Sequence, residues 1–134
     1  MRRIGRYGDG WQTDAVSPEG FNERFDMIRE HAAKAGRDPS SLESCLHLMV
    51  NINDDREKAL SEAEEFLGLY YGPGAISRER AETWLAYGSP EEVIKKTQSY
   101  IDASCTMPVL RFASKTPKIQ LERCIGEALP AFRI

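Results

Sequence analysis

The chain has 134 residues, a formal net charge of −3, and acidic and basic residues interleaved along its length. This length predicts a single domain over residues 1–134. The charge pattern gives no basic stripe for nucleic acid and no polybasic segment for a membrane surface. No apolar run approaches the roughly 18 residues of a membrane span, and no signal peptide is evident. We therefore expect a cytoplasmic protein that binds neither nucleic acid nor membrane.

Cysteines and histidines are few and widely spaced. Cys45, Cys105 and Cys124 are odd in number and form no pair of the zinc-binding type, and His31 and His47 are the two histidines. An odd set of scattered cysteines without an export signal is typical of free cytosolic thiols. We predict no disulfide framework and no metal site.

The chain opens on residues that resemble the last turns of a helix. Residues 2–7 combine the basic Arg2, Arg3 and Arg6 with the apolar Ile4 and Tyr7, and arginine is favoured near the exposed carbonyls of a helix end. Gly8-Asp9-Gly10 predicts the turn that follows, since glycine tolerates positive φ after a helix. Trp11-Gln12-Thr13 then predicts a short strand.

Four longer helices are indicated by their start signals, in which a capping side chain precedes proline or a glutamate of a capping box. The starts are Ser17-Pro18, Asp54 with Glu57, Ser89-Pro90 with Glu92, and Thr116-Pro117. Apolar residues recur at helical spacing along the first helix and the last. They are Phe21, Phe25, Ile28 and Ala32 in the first, and Leu121, Ile125, Ala128 and Leu129 in the last.

Two segments alternate as strands do. In residues 45–53 one face is entirely apolar and the other is mixed. The apolar face holds Leu46, Leu48, Val50 and Ile52, and the mixed face holds Cys45, His47, Met49 and Asn51. In residues 107–114, Leu110 and Phe112 lie opposite Val109, Arg111 and Ala113. Residues 70–88 predict a Gly-Pro turn, a short helix from about Ser77, and a loop.

Strands that alternate with helices predict an α/β fold of parallel βα units with right-handed crossovers. One apolar and one mixed face per strand fits a barrel wall, whose mixed face looks into the lumen, better than a doubly wound sheet. His47 and Arg111 are then expected to point into the lumen. Three parallel strands leave open sheet edges, so we also expect self-association into a homo-oligomer.

The ordered segments "RRIGRYGDGW", "SPEGFNERFDMIREHAAKAGRDP", "LHLMVNINDDREKAL" and "YGSPEEVIKKTQSYIDAS…MPVLRF" resemble the bacterial-luciferase-like family of flavin- and deazaflavin-dependent oxidoreductases. The resemblance implies a partial (β/α)8 TIM barrel, about its last three βα units. It implies FMN or an 8-hydroxy-5-deazaflavin coenzyme as the cofactor of full-length members, and a small organic substrate. The glycine-rich strand end that helps to hold the cofactor phosphate in the family would precede Arg2, so we expect the chain alone to be inactive.

This sequence departs from the family pattern at two places. Ser104 lies near the position where members commonly have glycine before the last strand. Cys45 replaces the arginine of an Arg-x-His pattern whose histidine resembles His47. The second departure puts sulfonate-binding chemistry of the alkanesulfonate monooxygenase type in doubt.

Four residues are candidates for the site, each with a structural alternative. His47 serves as a proton relay or is a buried histidine bonded to a neighbouring strand. Arg111 binds an anionic group of substrate or cofactor, or pairs with a carboxylate or reaches solvent. Trp11 borders a flavin ring or packs in the core. Asn51 lies near the carboxyl end of its strand, where barrel enzymes carry their sites.

Two functions from different classes follow. The chain is a fragment or truncated member of the luciferase-like oxidoreductases, with His47 and Arg111 as catalytic residues and Trp11 and Asn51 against the cofactor. Alternatively, it is a non-catalytic oligomeric binding or assembly module built from a half-barrel, with no cofactor of its own.

Overall fold

Helices and strands alternate along the chain in a computed structural model, which describes residues 1–132. The helices are α1 (Arg2–Tyr7), α2 (Pro18–Lys34), α3 (Arg56–Tyr71), α4 (Arg78–Trp84), α5 (Pro90–Asp102) and α6 (Pro117–Arg123). The strands are β1 (Gly10–Asp14), β2 (Glu43–Ile52), β3 (Leu85–Gly88) and β4 (Met107–Phe112). A π-helical turn (Cys124–Ala128) and a 3-10 turn (Leu129–Phe132) follow α6. No described helix is long and apolar enough to cross a bilayer.

The chain divides into two compact units. The first contains Met1–His47 with Ser99–Val109, and the second contains Leu48–Gln98 with the segment from Leu110 onward. A single domain was predicted, and that organisation stays a prediction.

The strand pairing confirms the predicted parallel α/β fold. In the first unit β1 runs parallel to the first half of β2, from Gly10 opposite Glu43 to Asp14 opposite His47. In the second unit β3 runs parallel to the second half of β2, from Met49 opposite Leu85 onward. β4 also pairs with β2.

β3 was predicted as a loop, which is wrong. Its four residues are too few to display a strand period, yet all four are buried. The strand is specified by pairing with β2, and Asn53 N donates to Gly88 O at 2.8 Å where the pair ends.

The core of the first unit is an aromatic cluster between β1, α2 and α5. Ser17 caps α2 as predicted, accepting a hydrogen bond from Gly20 N at 3.1 Å, and the predicted apolar face of α2 is buried. The rings of Phe21 and Tyr100 meet edge to face at 6.3 Å. The Tyr100 hydroxyl donates to Val16 O at 2.6 Å, so its polar end is satisfied inside the core.

α1 ends as predicted at Tyr7, but not by the expected glycine geometry. Gly8 has φ of −89°, so positive φ at this position was a wrong expectation. The chain leaves α1 in an extended conformation towards β1. Arg37 replaces a glycine cap by donating to Gly5 O at 3.0 Å and Gly8 O at 2.6 Å.

In the second unit, two predicted helix starts are tested. The capping box of α5 is confirmed, since Ser89 N donates to Glu92 Oε2 at 2.9 Å. α3 begins one residue later than expected, because Asp55 is the cap and accepts from Lys58 N at 3.1 Å. Asp54 pairs instead with Arg123 at 2.9 Å.

The segment formed by α6 and the π-helical turn buries a different face from the one that its apolar residues predict. Of the four apolar positions predicted there, only Ala128 is buried, and the buried row is Gln120, Cys124 and Ala128. This face is buried because the Gln120 side chain makes two hydrogen bonds with the backbone of Ile52, which hold it inward. The exposed apolar residues are Leu121, Ile125 and Leu129.

Candidate functional site

One face of the sheet in the first unit is polar and open. The parallel register places Gln12 beside Cys45 and Asp14 beside His47, and paired residues of adjacent strands share a face. Gln12 and Asp14 are exposed, whereas Cys45 and His47 are half-buried. This polar face is therefore accessible to a ligand.

A cavity of about 270 Å³, the His47 cavity, lies at the carboxyl end of β1 and is lined by Gln12, Thr13, Asp14 and His47. It offers an amide, a hydroxyl, a carboxylate and an imidazole, which together donate and accept hydrogen bonds. Among residues 1–132, no hydrogen bond to the His47 ring is found, so both of its nitrogens are available to a ligand.

A second cavity, the Cys45 cavity, measures about 230 Å³ and is lined by Trp11, Gln12, Cys45 and Met107 among others. Gln12 lines both cavities, so they adjoin along β1. Burial raises the pKa of the Cys45 thiol, which therefore stays protonated at neutral pH and is a poor nucleophile. Within the described residues, no three His, Cys, Asp or Glu side chains are arranged to hold a metal ion.

Trp11 packs chiefly in the aromatic core. Its ring lies 5.0 Å from that of Phe21 and 6.4 Å from that of Phe25, and only 8% of the residue is exposed. The indole of Trp11 therefore packs against the aromatic core, and its contact with a cofactor stays a prediction.

Asn51 lies in the second unit and is fully buried. Its Nδ2 donates to Ala113 O at 2.9 Å, which ties β2 to the segment after β4. Its Oδ1 has no donor within residues 1–132. A buried acceptor without a donor is costly, so this oxygen is a place where a water or a ligand N–H would stabilise the protein.

Arg111, also in the second unit, is half-buried on β4. Its guanidinium lies 5.7 Å from the centroid of the Tyr70 ring, and the Tyr70 and Tyr71 rings meet edge to face at 4.7 Å. In the described part of the chain no carboxylate pairs with Arg111. A half-buried guanidinium in this state retains its capacity to bind an anion.

Comparison with known families identifies this architecture. A sequence model described as luciferase-like monooxygenase matches residues 1–107. The chain belongs to the luciferase-like monooxygenase family. Curated protein sequences show no match.

Solved structures share the fold of this luciferase-like chain. An F420-dependent secondary alcohol dehydrogenase, in complex with an F420–acetone adduct, is 21% identical with a TM-score of 0.84, over 99% of this chain and 46% of its own. The coenzyme F420-dependent tetrahydromethanopterin reductase from Methanopyrus kandleri is 17% identical with a TM-score of 0.77, over 98% and 48%. A riboflavin lyase with modified FMN and riboflavin is 15% identical with a TM-score of 0.71, over 98% and 40%. The chain spans less than half the length of these enzymes.

The polar face of this luciferase-like chain fits a flavin ring better than a flavin phosphate. The pyrimidine edge of the ring carries carbonyl acceptors and an N–H donor, which the Gln12 amide and the His47 imidazole can complement. The four residues of the His47 cavity include a carboxylate and no arginine or lysine. That cavity therefore offers the ring partners but offers a phosphate no fixed cation.

Sequence reasoning missed Gln12 and Asp14 as neighbours of His47. Alternation within β1 could have placed Gln12 and Asp14 on the face opposite Trp11. The register with β2, which aligns Asp14 with His47, depends on how the two strands pair and cannot be read from either strand alone.

Proposed function

We propose that this chain forms the C-terminal wall of a luciferase-like barrel that holds a reduced flavin or deazaflavin against a small organic substrate. The observation that carries the proposal is the open polar face of Gln12, Asp14, Cys45 and His47 on a parallel sheet of this family. The F420- and FMN-containing structures that share the fold support a cofactor of this class.

In this proposal the cofactor supplies the redox chemistry, and the protein supplies orientation and electrostatics. Gln12 binds the polar edge of the ring. His47 accepts or donates a proton at an imidazole nitrogen. In the second unit, Arg111 binds an anionic group of the substrate through its unpaired guanidinium.

The proposal also holds that this wall is insufficient by itself. The His47 cavity has no fixed cation for a phosphate, and the solved relatives are more than twice as long. We therefore expect ring binding without turnover, and a complete barrel or a second copy is needed to enclose the substrate.

A comparison of riboflavin with FMN tests this proposal. The fluorescence of riboflavin and of FMN is quenched or shifted when the ring binds a protein, so it reports binding directly. An 8-hydroxy-5-deazaflavin serves as a third ligand. We expect saturable binding of all three rings, with riboflavin and FMN equal within about twofold at the His47 cavity, because that cavity offers the phosphate no cation. His47→Ala should weaken riboflavin binding at least tenfold, whereas the matched variant His31→Ala should not. Failure of every ring to bind would reject the proposal.

A second candidate is the oligomeric binding or assembly module. It is favoured by Leu121, Ile125 and Leu129, which are exposed by 47%, 50% and 38% at four-residue spacing. Such a stripe is typical of a helix face that packs on another helix. Burying these side chains against a second copy would stabilise a homo-oligomer.

The mass of the chain in solution tests this candidate. Light scattering coupled to size exclusion should give a multiple of 15.1 kDa. Ile125→Glu should reduce it to the monomer, whereas Met27→Glu, at a residue 45% exposed in the first unit, should not. A monomeric wild type, or a mass unchanged by Ile125→Glu, would reject the role of this face.

A further inference from the structure

A groove rich in positive charge lies between α1 and α2, and it takes no part in the proposed flavin site. Its volume is about 430 Å³, and its lining includes Arg2, Arg6, Tyr7, His31 and Lys34. We call it the cationic groove. α1 ends just before β1 begins, whereas the His47 cavity lies at the other end of β1. The groove and the flavin face are thus separate surfaces of the first unit.

Gly5 creates the close helix contact that brings these cations together. A Cβ atom at this position would lie 2.6 Å from Ile28 O and 2.9 Å from Ala32 N, both backbone atoms of α2. Only glycine allows α1 to approach α2 this closely. Arg2 and Arg6 are four residues apart on α1, so they occupy one face and line the groove opposite His31.

The cations of the groove are not needed to cap the helices. The carbonyls at the end of α1 already accept from Arg37, at Gly5 and Gly8. At the end of α2, Ala32 O accepts from the backbone N–H groups of Ala35 and Arg37. Basic residues near a helix end commonly serve such carbonyls, but here that role is taken by other groups.

The cations also have few carboxylate partners. Lys34 pairs with Glu30 at 3.5 Å, and both side chains are more than two-thirds exposed, so this pair is weak. Arg6 lies 5.4 Å from the centroid of the Tyr7 ring. Among residues 1–132, neither Arg2 nor Arg6 has an ion pair. Like charges that face each other across a groove repel, and a multivalent anion between them would relieve that repulsion.

We propose that the cationic groove binds a small soluble anion bearing a phosphate or pyrophosphate group. Arginine forks match the geometry of phosphate oxygens and can bind them bidentately. Lys34 adds a point charge and His31 adds a ring N–H donor. The groove has the volume of ligand pockets for small molecules, roughly 300–1,000 Å³, so the rest of a phosphate ester can lie against the exposed Tyr7 ring.

The test uses the wild-type chain and inorganic pyrophosphate, followed by NMR. The two histidines report separately, since His31 lines the groove and His47 lines the flavin face. We expect pyrophosphate to shift the His31 ring signals saturably, with half-saturation below about 1 mM at low salt, and to leave His47 unmoved. This outcome does not depend on flavin binding, so the two proposals fail separately.

Charge-removing variants identify the residues. Arg6→Gln with Lys34→Gln should weaken pyrophosphate binding at least tenfold, because two of the groove's fixed cations are lost. The matched control Arg24→Gln removes a positive charge from an exposed position of α2 outside the groove and should change affinity less than twofold. Equal losses in both proteins, or no saturable shift of His31 in the wild type, would overturn the proposal.

A vesicle arm separates a soluble phosphate from a lipid headgroup. The chain should stay in the supernatant with phosphatidylcholine vesicles that contain phosphatidic acid, which supports a soluble ligand. Co-sedimentation that disappears in the Arg6→Gln, Lys34→Gln protein would overturn the small-anion proposal in favour of a membrane surface.

Discussion

Gln120 takes the place of a neighbouring strand at the end of β2. Ile52 N donates to Gln120 Oε1 at 2.7 Å, and Gln120 Nε2 donates to Ile52 O at 3.1 Å. One buried side chain thus satisfies both polar groups of a backbone position. Gln120→Met keeps the size but leaves Ile52 N without an acceptor, while Ile52 O keeps only the longer bond from Arg123 at 3.3 Å. We expect a loss of about 1–3 kcal/mol in the free energy of unfolding. Urea denaturation measures it.

The control for this variant is Lys118→Met, an exposed position on the same helix. We expect a change of no more than about 0.5 kcal/mol there. If Gln120→Met lowered the free energy of unfolding no more than Lys118→Met does, the two hydrogen bonds of Gln120 would not stabilise the protein.

Ser104 adopts a conformation that favours glycine. Its φ is +73°, and left-handed backbone costs an L-residue about 1 kcal/mol. The resemblance stated in the sequence analysis predicts glycine near this position. Ser104→Gly should therefore raise the free energy of unfolding by about 0.5–1 kcal/mol, because the contacts of its hydroxyl with Arg29 and Asn22 are long, at 3.4 Å.

Thermal melting of Ser104→Gly alongside Ser99→Gly tests this prediction. Ser99 lies within α5, where glycine costs about 0.5–1 kcal/mol. We expect the melting temperature to rise for the first variant and to fall for the second. A fall in both would show that the Ser104 hydroxyl outweighs the backbone strain.

Tyr100 makes the free energy of unfolding fall as the pH rises into the alkaline range. Burial raises the pKa of Tyr100 to about 12, and the nearby Glu19 carboxylate adds to the shift. An exposed tyrosine titrates near 10, so the unfolded chain releases this proton first as the pH rises. The stability that the buried, protonated Tyr100 contributes is therefore complete below about pH 10 and is lost progressively between about pH 10 and 12.

Urea denaturation of Tyr100→Phe against wild type measures this contribution. At pH 8 the variant should be less stable by about 1–2 kcal/mol, because Val16 O loses its donor. The difference should shrink above pH 10. A difference that stays constant up to pH 12 would mean that Tyr100 titrates alike in both states.

Much of the fold could be predicted because local signals agree with the packing. Ser17 and Ser89 marked helix starts, and burial in β2 follows the predicted alternation as far as Leu48, beyond which both faces are buried. The orientation of α6 could not be predicted, since a buried glutamine outweighs the apolar row of Leu121 and Ile125. β3 could not be predicted either, because its stability comes from pairing with β2.

The candidate site was harder to predict for the same reason. His47 could be proposed as a candidate from alternation alone, but the position of its neighbour Asp14 depends on the register between two strands. Trp11 looked suitable for a flavin ring from its position after the glycine turn. In the fold its indole meets Phe21 and Phe25, contacts that only the placement of α2 reveals.

NMR of the two histidine rings during a titration with riboflavin tests the proposed flavin face most directly. If the polar face of β1 and β2 binds the ring, the His47 signals will shift saturably and the His31 signals will stay in place. Unmoved His47 signals at saturating riboflavin, or equal shifts of both histidines, would contradict a flavin site on this face.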